Sequence, residues 1–201
     1  AVSLDEGDRL AWVRLTSGED QLIVATRQGM AIRFNETDAR VLGRTARGVR
    51  ALNLEEDDIV VGMVPVMENT TVLTVSENGQ GRRTDPAEYR LQSRGGKGIK
   101  NYDTQKNGPV AGVLAVEEED DVILISDDGI IIRIPVAEIS TQSRYAGGVR
   151  VMRIGEGSRL VSLCRAPHED EEEAAAESEA PVEAETPAEE TADSTETPVE
   201  E

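Results

Sequence analysis

The sequence predicts an all-β fold of the propeller type, built on a fifty-residue repeat. Three observations carry that expectation. Residues of matching type recur at a spacing of fifty, each recurrence divides into four short strand-like runs, and Asn-Gly or Asp-Gly joins the two central runs in two of the copies. The register is seen in Gly29, Gly79 and Gly129; in Arg33, Arg83 and Arg133; in Arg44, Arg94 and Arg144; and in Gly48, Gly98 and Gly148. A cation repeats as Arg50, Lys100 and Arg150, and an acid as Asp38, Glu88 and Glu138. So many coincidences in one register, without insertions, mark a repeat architecture.

Taken in order, the first strand of each unit is expected at Arg9–Leu15, Ile59–Val66 and Val110–Val116, with a fourth partial copy at Leu160–Arg165. The second is Gln21–Thr26, Thr71–Val75 and Asp121–Ile125, apolar almost throughout, which suits a strand buried on both faces. A turn follows at Gln28-Gly29, Asn78-Gly79 and Asp128-Gly129, residue pairs that tolerate positive φ. The third strand is Met30–Phe34, Gln80–Thr84 and Ile130–Ile134, and a connection of about twelve residues leads to the fourth, Gly48–Leu52 and its equivalents. The repeats thus run over about 4–53, 54–103 and 104–153, with a partial copy at 154–166. Four strands at this period match a propeller blade, whose central strand lies between neighbouring blades. A β-solenoid or a sandwich of unrelated hairpins is the alternative, and an uninterrupted register disfavours both. Three blades and one strand leave a ring incomplete, with apolar faces and strand edges uncovered. The expectation is therefore the C-terminal part of a longer protein.

Residues 167–201 change character to Glu, Ala, Pro, Thr and Ser, a composition too poor in large apolar residues to fold. This acidic tail dominates the charge. Of the 40 acidic residues, 15 lie in Glu169–Glu201 without a single Lys or Arg, which leaves the body 25 acids against 21 bases. The overall charge of −19 is accordingly no argument against a nucleic-acid partner. The one cysteine, Cys164, excludes a disulfide framework and fits a reducing cytoplasm; no apolar run is long enough to span a bilayer.

Catalysis has few candidates. A single histidine, His168, allows neither a Ser-His-Asp triad nor a histidine metal cluster. The acidic runs Glu55–Asp58 and Glu117–Asp121 read as solvated loops, Gly95-Gly96-Lys97-Gly98 lacks the spacing of a nucleotide-binding loop, and Tyr145 occupies a position taken by Thr45 and Gly95 in the other repeats. Bases, by contrast, concentrate in one half of every repeat. Arg33 to Arg50 holds five cations and two acids, Arg82 to Lys100 six and two, and Arg133 to Arg153 four and one. At equivalent places around a propeller these windows form a basic stripe on the perimeter. Such a stripe, with only Tyr89 and Tyr145 as aromatics, suits the phosphates of duplex DNA more than single strands. Surface ion pairs with Asp38, Glu88 and their neighbours are the structural alternative. The residues expected to contact DNA are Arg33, Arg44, Arg47, Arg50, Arg82, Arg83, Gln92, Arg94, Gly95, Gly96, Lys97, Gly98, Lys100, Arg133, Arg144 and Arg150.

Three phrases resemble a known family: Gly48-Val49-Arg50-Ala51-Leu52, the run from Leu73 to Thr84, and Val136-Ala137-Glu138-Ile139-Ser140. They are similar to the C-terminal domain of DNA gyrase A, over residues 1 to about 166, with the acidic tail in the same place. The resemblance implies a β-pinwheel that wraps duplex DNA, in a heterotetramer with the remainder of gyrase A and with gyrase B. It also implies ATP-driven negative supercoiling by that holoenzyme, with ATP and Mg2+ used elsewhere and no cofactor, catalytic residue or metal here. Gln92, Arg94, Gly95, Gly96, Lys97 and Gly98 match the family's glycine-rich basic box, and Ser93 departs from it. The family's defining box lies in its first blade, so this copy is expected to be a secondary one. The resemblance further suggests that Glu169–Glu173 compete with DNA for the rim, which about 33 coil residues, spanning roughly 30 Å, would reach; a tail that only solubilises is the alternative. The topoisomerase IV counterpart and a protein-binding propeller scaffold are the alternative functions.

Overall fold

The structure, a computed structural model, describes residues 3–168; the expectations for the tail beyond His168 lie outside the described residues. Eleven strands follow one another: β1 (Gln21–Thr26), β2 (Met30–Asn35), β3 (Val60–Val66), β4 (Thr71–Ser76), β5 (Gln80–Thr84), β6 (Ile99–Lys100), β7 (Val110–Val116), β8 (Asp120–Ser126), β9 (Ile131–Pro135), β10 (Val149–Arg150) and β11 (Leu160–Pro167). The hairpins β1–β2, β4–β5 and β8–β9 form where the apolar runs and turns predict them. In each turn only the glycine has positive φ (86°, 75° and 85° for Gly29, Gly79 and Gly129). The residue before it does not, so these are three-residue loops closed by a left-handed glycine.

Three antiparallel sheets result, in the orders β3-β1-β2-β6, β7-β4-β5-β10 and β11-β8-β9. Two of the three sheets have the expected four strands, but the origin of those strands differs from the sequence-based assignment. The first two blades take their central hairpin from one repeat and both flanking strands from the next, and the third, with three strands among the described residues, takes β11 in the same way. The repeats are thereby interlocked, each clasping the hairpin before it.

That exchange explains two corrections. Arg9–Leu15 and Gly48–Leu52 form no strands. The equivalent segments β3, β7 and β11, and β6 and β10, all pair with the hairpin of the preceding repeat, and the described residues hold no such hairpin for these two segments. Leu10, Val13 and Leu15 are accordingly 64%, 68% and 97% exposed.

The core lies between the sheets. One face of β1 sends Ile23 and Ala25 into a cluster with Val72, Tyr89, Tyr102, Val110 and Val113. Its other face sends Leu22 and Val24 to Ile32, Phe34 and Leu52. Between the second and third sheets, Leu73, Val75, Val122, Leu124, Ile139 and Leu160 form a further cluster. The apolar runs are thus buried on both faces, each Leu or Ile contributing about 1.5–3 kcal/mol. The flanking strands β3, β7 and β11 pack side by side, and close approach fixes their spacing: a Cβ on Gly62 would lie 2.5 Å from Val113.

Candidate nucleic-acid interface

The basic half of each repeat follows the outer strand of its hairpin. A single 3-10 turn comes first (Glu36–Asp38, Pro86–Glu88, Val136–Glu138), and Asp85 caps the second by accepting from the Ala87 amide at 2.7 Å. The chain then hooks onto the preceding repeat, with the Gln92 amide donating to the Arg33 carbonyl and Gln142 to that of Arg83, both at 2.8 Å. Two more backbone bonds lock successive loops together: Gly95 donates to the Ala51 carbonyl at 2.6 Å and Asn53 to that of Gly96 at 2.8 Å. The loop spanning residues 90–100 consequently lies against that spanning 40–53, and the side chain of Arg144 ties the 140–150 loop to Lys100.

Within this row the sixteen residues singled out from sequence divide by what they touch. The series Arg33, Arg83 and Arg133 holds the fold. Arg33 Nε donates to Gln21 at 2.8 Å and Nη1 to the carbonyls of Pro86 (2.6 Å) and Tyr89 (3.2 Å). Arg83 reaches the Ile139 carbonyl at 2.6 Å and pairs with Glu118. Arg133 binds Asp121 at 2.7 Å and the Pro167 carbonyl at 2.5 Å. In the first two repeats the guanidinium thus latches the turn of the following repeat. A fifty-residue period alone does not separate this role from phosphate binding.

Arg82 is the clearest correction. It is fully buried and donates to the carbonyls of Ser143 (3.0 Å), Asn101 (2.5 Å) and Arg144 (2.7 Å), with its guanidinium 4.8 Å from the centre of the Tyr102 ring. Desolvation lowers its pKa, against the partly offsetting influence of Tyr89 and Tyr102. A guanidinium held this deep anchors the third basic loop and presents no charge to a phosphate. Its equivalents, Ile32 and Ile132, mark it as a core position occupied by a cation.

Arg94 and Arg144 are half-buried and reach backward. Arg94 donates to the carbonyls of Asp38 (2.7 Å) and Arg50 (3.1 Å), and Arg144 to that of Lys100, the same step of forty-four residues. The Arg144 amide also donates to Glu88 at 2.7 Å. The glycines differ as well. Gly98 (φ 76°) abuts the Ala31 carbonyl so closely that any side chain would collide, as Gly148 abuts that of Gly81. Gly95 needs its positive φ of 83°, whereas Gly96 is exposed, with room for a side chain. The Gln92 amide nitrogen Nε2 is buried and finds no partner in the described residues.

Charge facing solvent comes from the remaining cations. Arg44, Arg50 and Arg150 are exposed and form no ion pair among the described residues. Arg47, Lys97 and Lys100 are also exposed, each beside a carboxylate: Asp5 at 3.0 Å, Glu55 at 2.7 Å and Asp103 at 3.3 Å. The sequence-based selection missed Arg40, Arg90 and Arg153, which lie exposed in the same loops. Arg40 and Arg90 are themselves fifty apart, so the signal was available. Of the two loop tyrosines, Tyr89 is buried and donates to Asn101 at 2.6 Å; burial raises its pKa. Tyr145 is 75% exposed and lies under the Arg144 guanidinium. Stacking surface is therefore confined to one residue.

Among the described residues no group of three or more His, Cys, Asp or Glu side chains could hold a metal. No helix there is long and apolar enough to cross a membrane. A groove of about 540 Å³ runs between the flanking strands, lined by Trp12, Met63, Leu163 and Cys164, and shares no residue with the basic loops.

Stacked antiparallel blades with a basic outer edge define the class: an all-β, propeller-like domain that offers charge and little stacking surface. The family model described as "DNA gyrase C-terminal domain, beta-propeller" matches residues 20–67, 70–117 and 120–163, and the chain belongs to that family. The DNA gyrase A protein of Halalkalibacterium halodurans is 60% identical over 53 residues, covering 26% of this chain and 6% of that protein. Its counterpart from Aminobacterium colombiense is 45% identical over 76 residues, covering 38% of this chain and 9% of that protein. Among solved structures, a DNA gyrase A C-terminal domain aligns with TM-score 0.68 and 31% identity, over 74% of this chain and 51% of the other. The C-terminal domain of a DNA topoisomerase IV aligns with TM-score 0.78 over 88% and 56%; at 24% identity it shows the fold alone. The chain thus spans under a tenth of those two gyrase proteins and about half of these solved domains.

Proposed function

We propose that the chain is a non-specific duplex-DNA-binding and wrapping module of a gyrase A-like protein. The observation that carries this reading is the row of basic loops, tied edge to edge by backbone bonds and by Arg94 and Arg144, with cations from successive repeats facing out. Phosphates are the fitting partner. They need fixed positive charge without base-specific donors, and each neutralised phosphate releases counter-ions. Arg44, Arg47, Arg50, Lys97, Lys100 and Arg150 supply the charge, joined by Arg40, Arg90 and Arg153. Exposed Gly96 lets a phosphate approach the loop beside Lys97. Arg33, Arg82, Arg83, Arg94 and Arg144 hold these loops in place, and Arg133 ties β9 to β8 and β11.

In this reading the module does no bond chemistry. The remainder of gyrase A, together with gyrase B, would contribute strand cleavage, Mg2+ and ATP hydrolysis within a heterotetramer, and the wrap would give that reaction its direction toward negative supercoils. The setting would be the bacterial cytoplasm, at the nucleoid.

The test is affinity for a mixed-sequence duplex across a salt series. The chain should lose affinity steeply and linearly on logarithmic axes. The variant Arg50→Ala/Lys97→Ala/Lys100→Ala should bind more weakly, with a slope shallower by about two to three phosphate contacts. A slope unaltered by the triple change would overturn the assignment of these loops.

A further inference from the structure

Two of the outward cations are paired by a rule that repeats. Arg47 pairs with Asp5 and Lys97 with Glu55, in each case with a carboxylate forty-two residues earlier. The surroundings repeat too. Asp8 donates its amide to the Asp5 carbonyl at 3.0 Å and Asp58 to that of Glu55 at 3.2 Å, so each acid opens a tight turn. Ser3 donates to the Ala46 carbonyl as Asn53 does to that of Gly96. In the third repeat the cation position is Gly147 and the acid position forty-two earlier is Gln105. Cation and carboxylate are present together or absent together.

The fold does not need these carboxylates. The turns are closed by main-chain bonds, and the pairs are exposed, with side chains 76% and 58% accessible for Arg47–Asp5 and 70% and 57% for Lys97–Glu55. An ion pair so open to water contributes little to stability. What it does is occupy two of the outward cations, Arg47 and Lys97.

We propose that Asp5 and Glu55 are built-in counter-ions of the basic loops, carboxylates that hold Arg47 and Lys97 in the free protein and yield to the phosphates of duplex DNA, thereby setting how tightly the loops bind. The inference rests on the reading of these loops as a DNA track. It adds to that reading a pair of acidic residues that weaken binding. When phosphate displaces Glu55, the freed carboxylate gathers cations from solution, against the counter-ion release on the DNA. Both affinity and salt slope are thus held below what the cations alone would give.

The experiment repeats the salt series for the 201-residue chain with Glu55→Gln, Asp5→Asn and the double variant, and with Glu56→Gln as a control. Glu56 is exposed, adjacent and without an ion pair among the described residues, so it carries the same charge change without a partner. Glu55→Gln and Asp5→Asn should each tighten binding about two- to fivefold at low salt and steepen the slope, with unchanged thermal midpoints. Glu56→Gln should produce a smaller gain. In a Lys97→Ala background, the gain from Glu55→Gln should fall to that of Glu56→Gln. The inference is overturned if Glu55→Gln binds no more tightly than the parent, or gains as much without Lys97 as with it. A folded parent chain that binds no duplex at any salt would instead overturn the track reading beneath it.

Discussion

Arg82 shows how a residue type can mislead and a position can correct it. A guanidinium adjoining a basic loop suggests phosphate, yet its carbonyl partners and the Tyr102 ring make it the post on which Ser143 and Arg144 hang. Arg82→Ala should therefore cost stability, by about 2–4 kcal/mol, because buried carbonyls lose their donor and a cavity opens. A urea titration read by far-UV circular dichroism measures this. Asp121 illustrates a second residue-level balance. Burial acts to raise its carboxyl pKa, but hydrogen bonds from His168 (2.7 Å) and Arg133 (2.7 Å) outweigh it and hold the group below its ordinary value. A folded-state pKa depressed in this way stabilises above the unfolded value, about 3.9, and that contribution is lost as pH falls through the folded value. Wild type should lose urea resistance more steeply below about pH 4 than Asp121→Asn, measured as the midpoint against pH. A parallel decline of the two would contradict the assignment.

At the scale of elements, the hairpins were legible because every signal agreed: apolar runs, β-branched residues and a glycine closing each turn. Their limits fall within a residue or so of those expected, as for Gln21–Thr26 and Gln80–Thr84. The flanking strands were located but assigned to the wrong hairpin. A repeat of fixed period looks the same whether its strands pair within a unit or with the unit before, so periodicity cannot distinguish the two. The three-dimensional pairing can, and it leaves Arg9–Leu15 and Gly48–Leu52 outside the sheets. Gly62 marks the same interlock from the side of packing, since β7 approaches β3 too closely for a methyl group. Gly62→Ala should destabilise by about 1–3 kcal/mol, detectable as a lowered thermal midpoint. The candidate site was legible to a lesser degree. The loops and their exposed cations were located, but arginines at fixed period face solvent at some positions and strap the fold at others. Which is which depends on burial and on partners forty-four to fifty-six residues away, which no local pattern records.

For the molecule as a whole, interlocked repeats and a tied row of loops describe one device. Each repeat clasps the hairpin before it, so the basic loop of each repeat is fixed against that of the last, and charge is held in a continuous order from blade to blade. A duplex following that order would be bent by the turn between blades, at a deformation cost offset by additional phosphate contacts. The measurement closest to this claim is topological. Nicked plasmid is incubated with increasing amounts of the chain, sealed with ligase and stripped of protein, and the topoisomers are separated on a gel. The account predicts a linking-number shift that grows with protein and disappears in Arg50→Ala/Lys97→Ala/Lys100→Ala. Tight binding that leaves the linking number unchanged would contradict it.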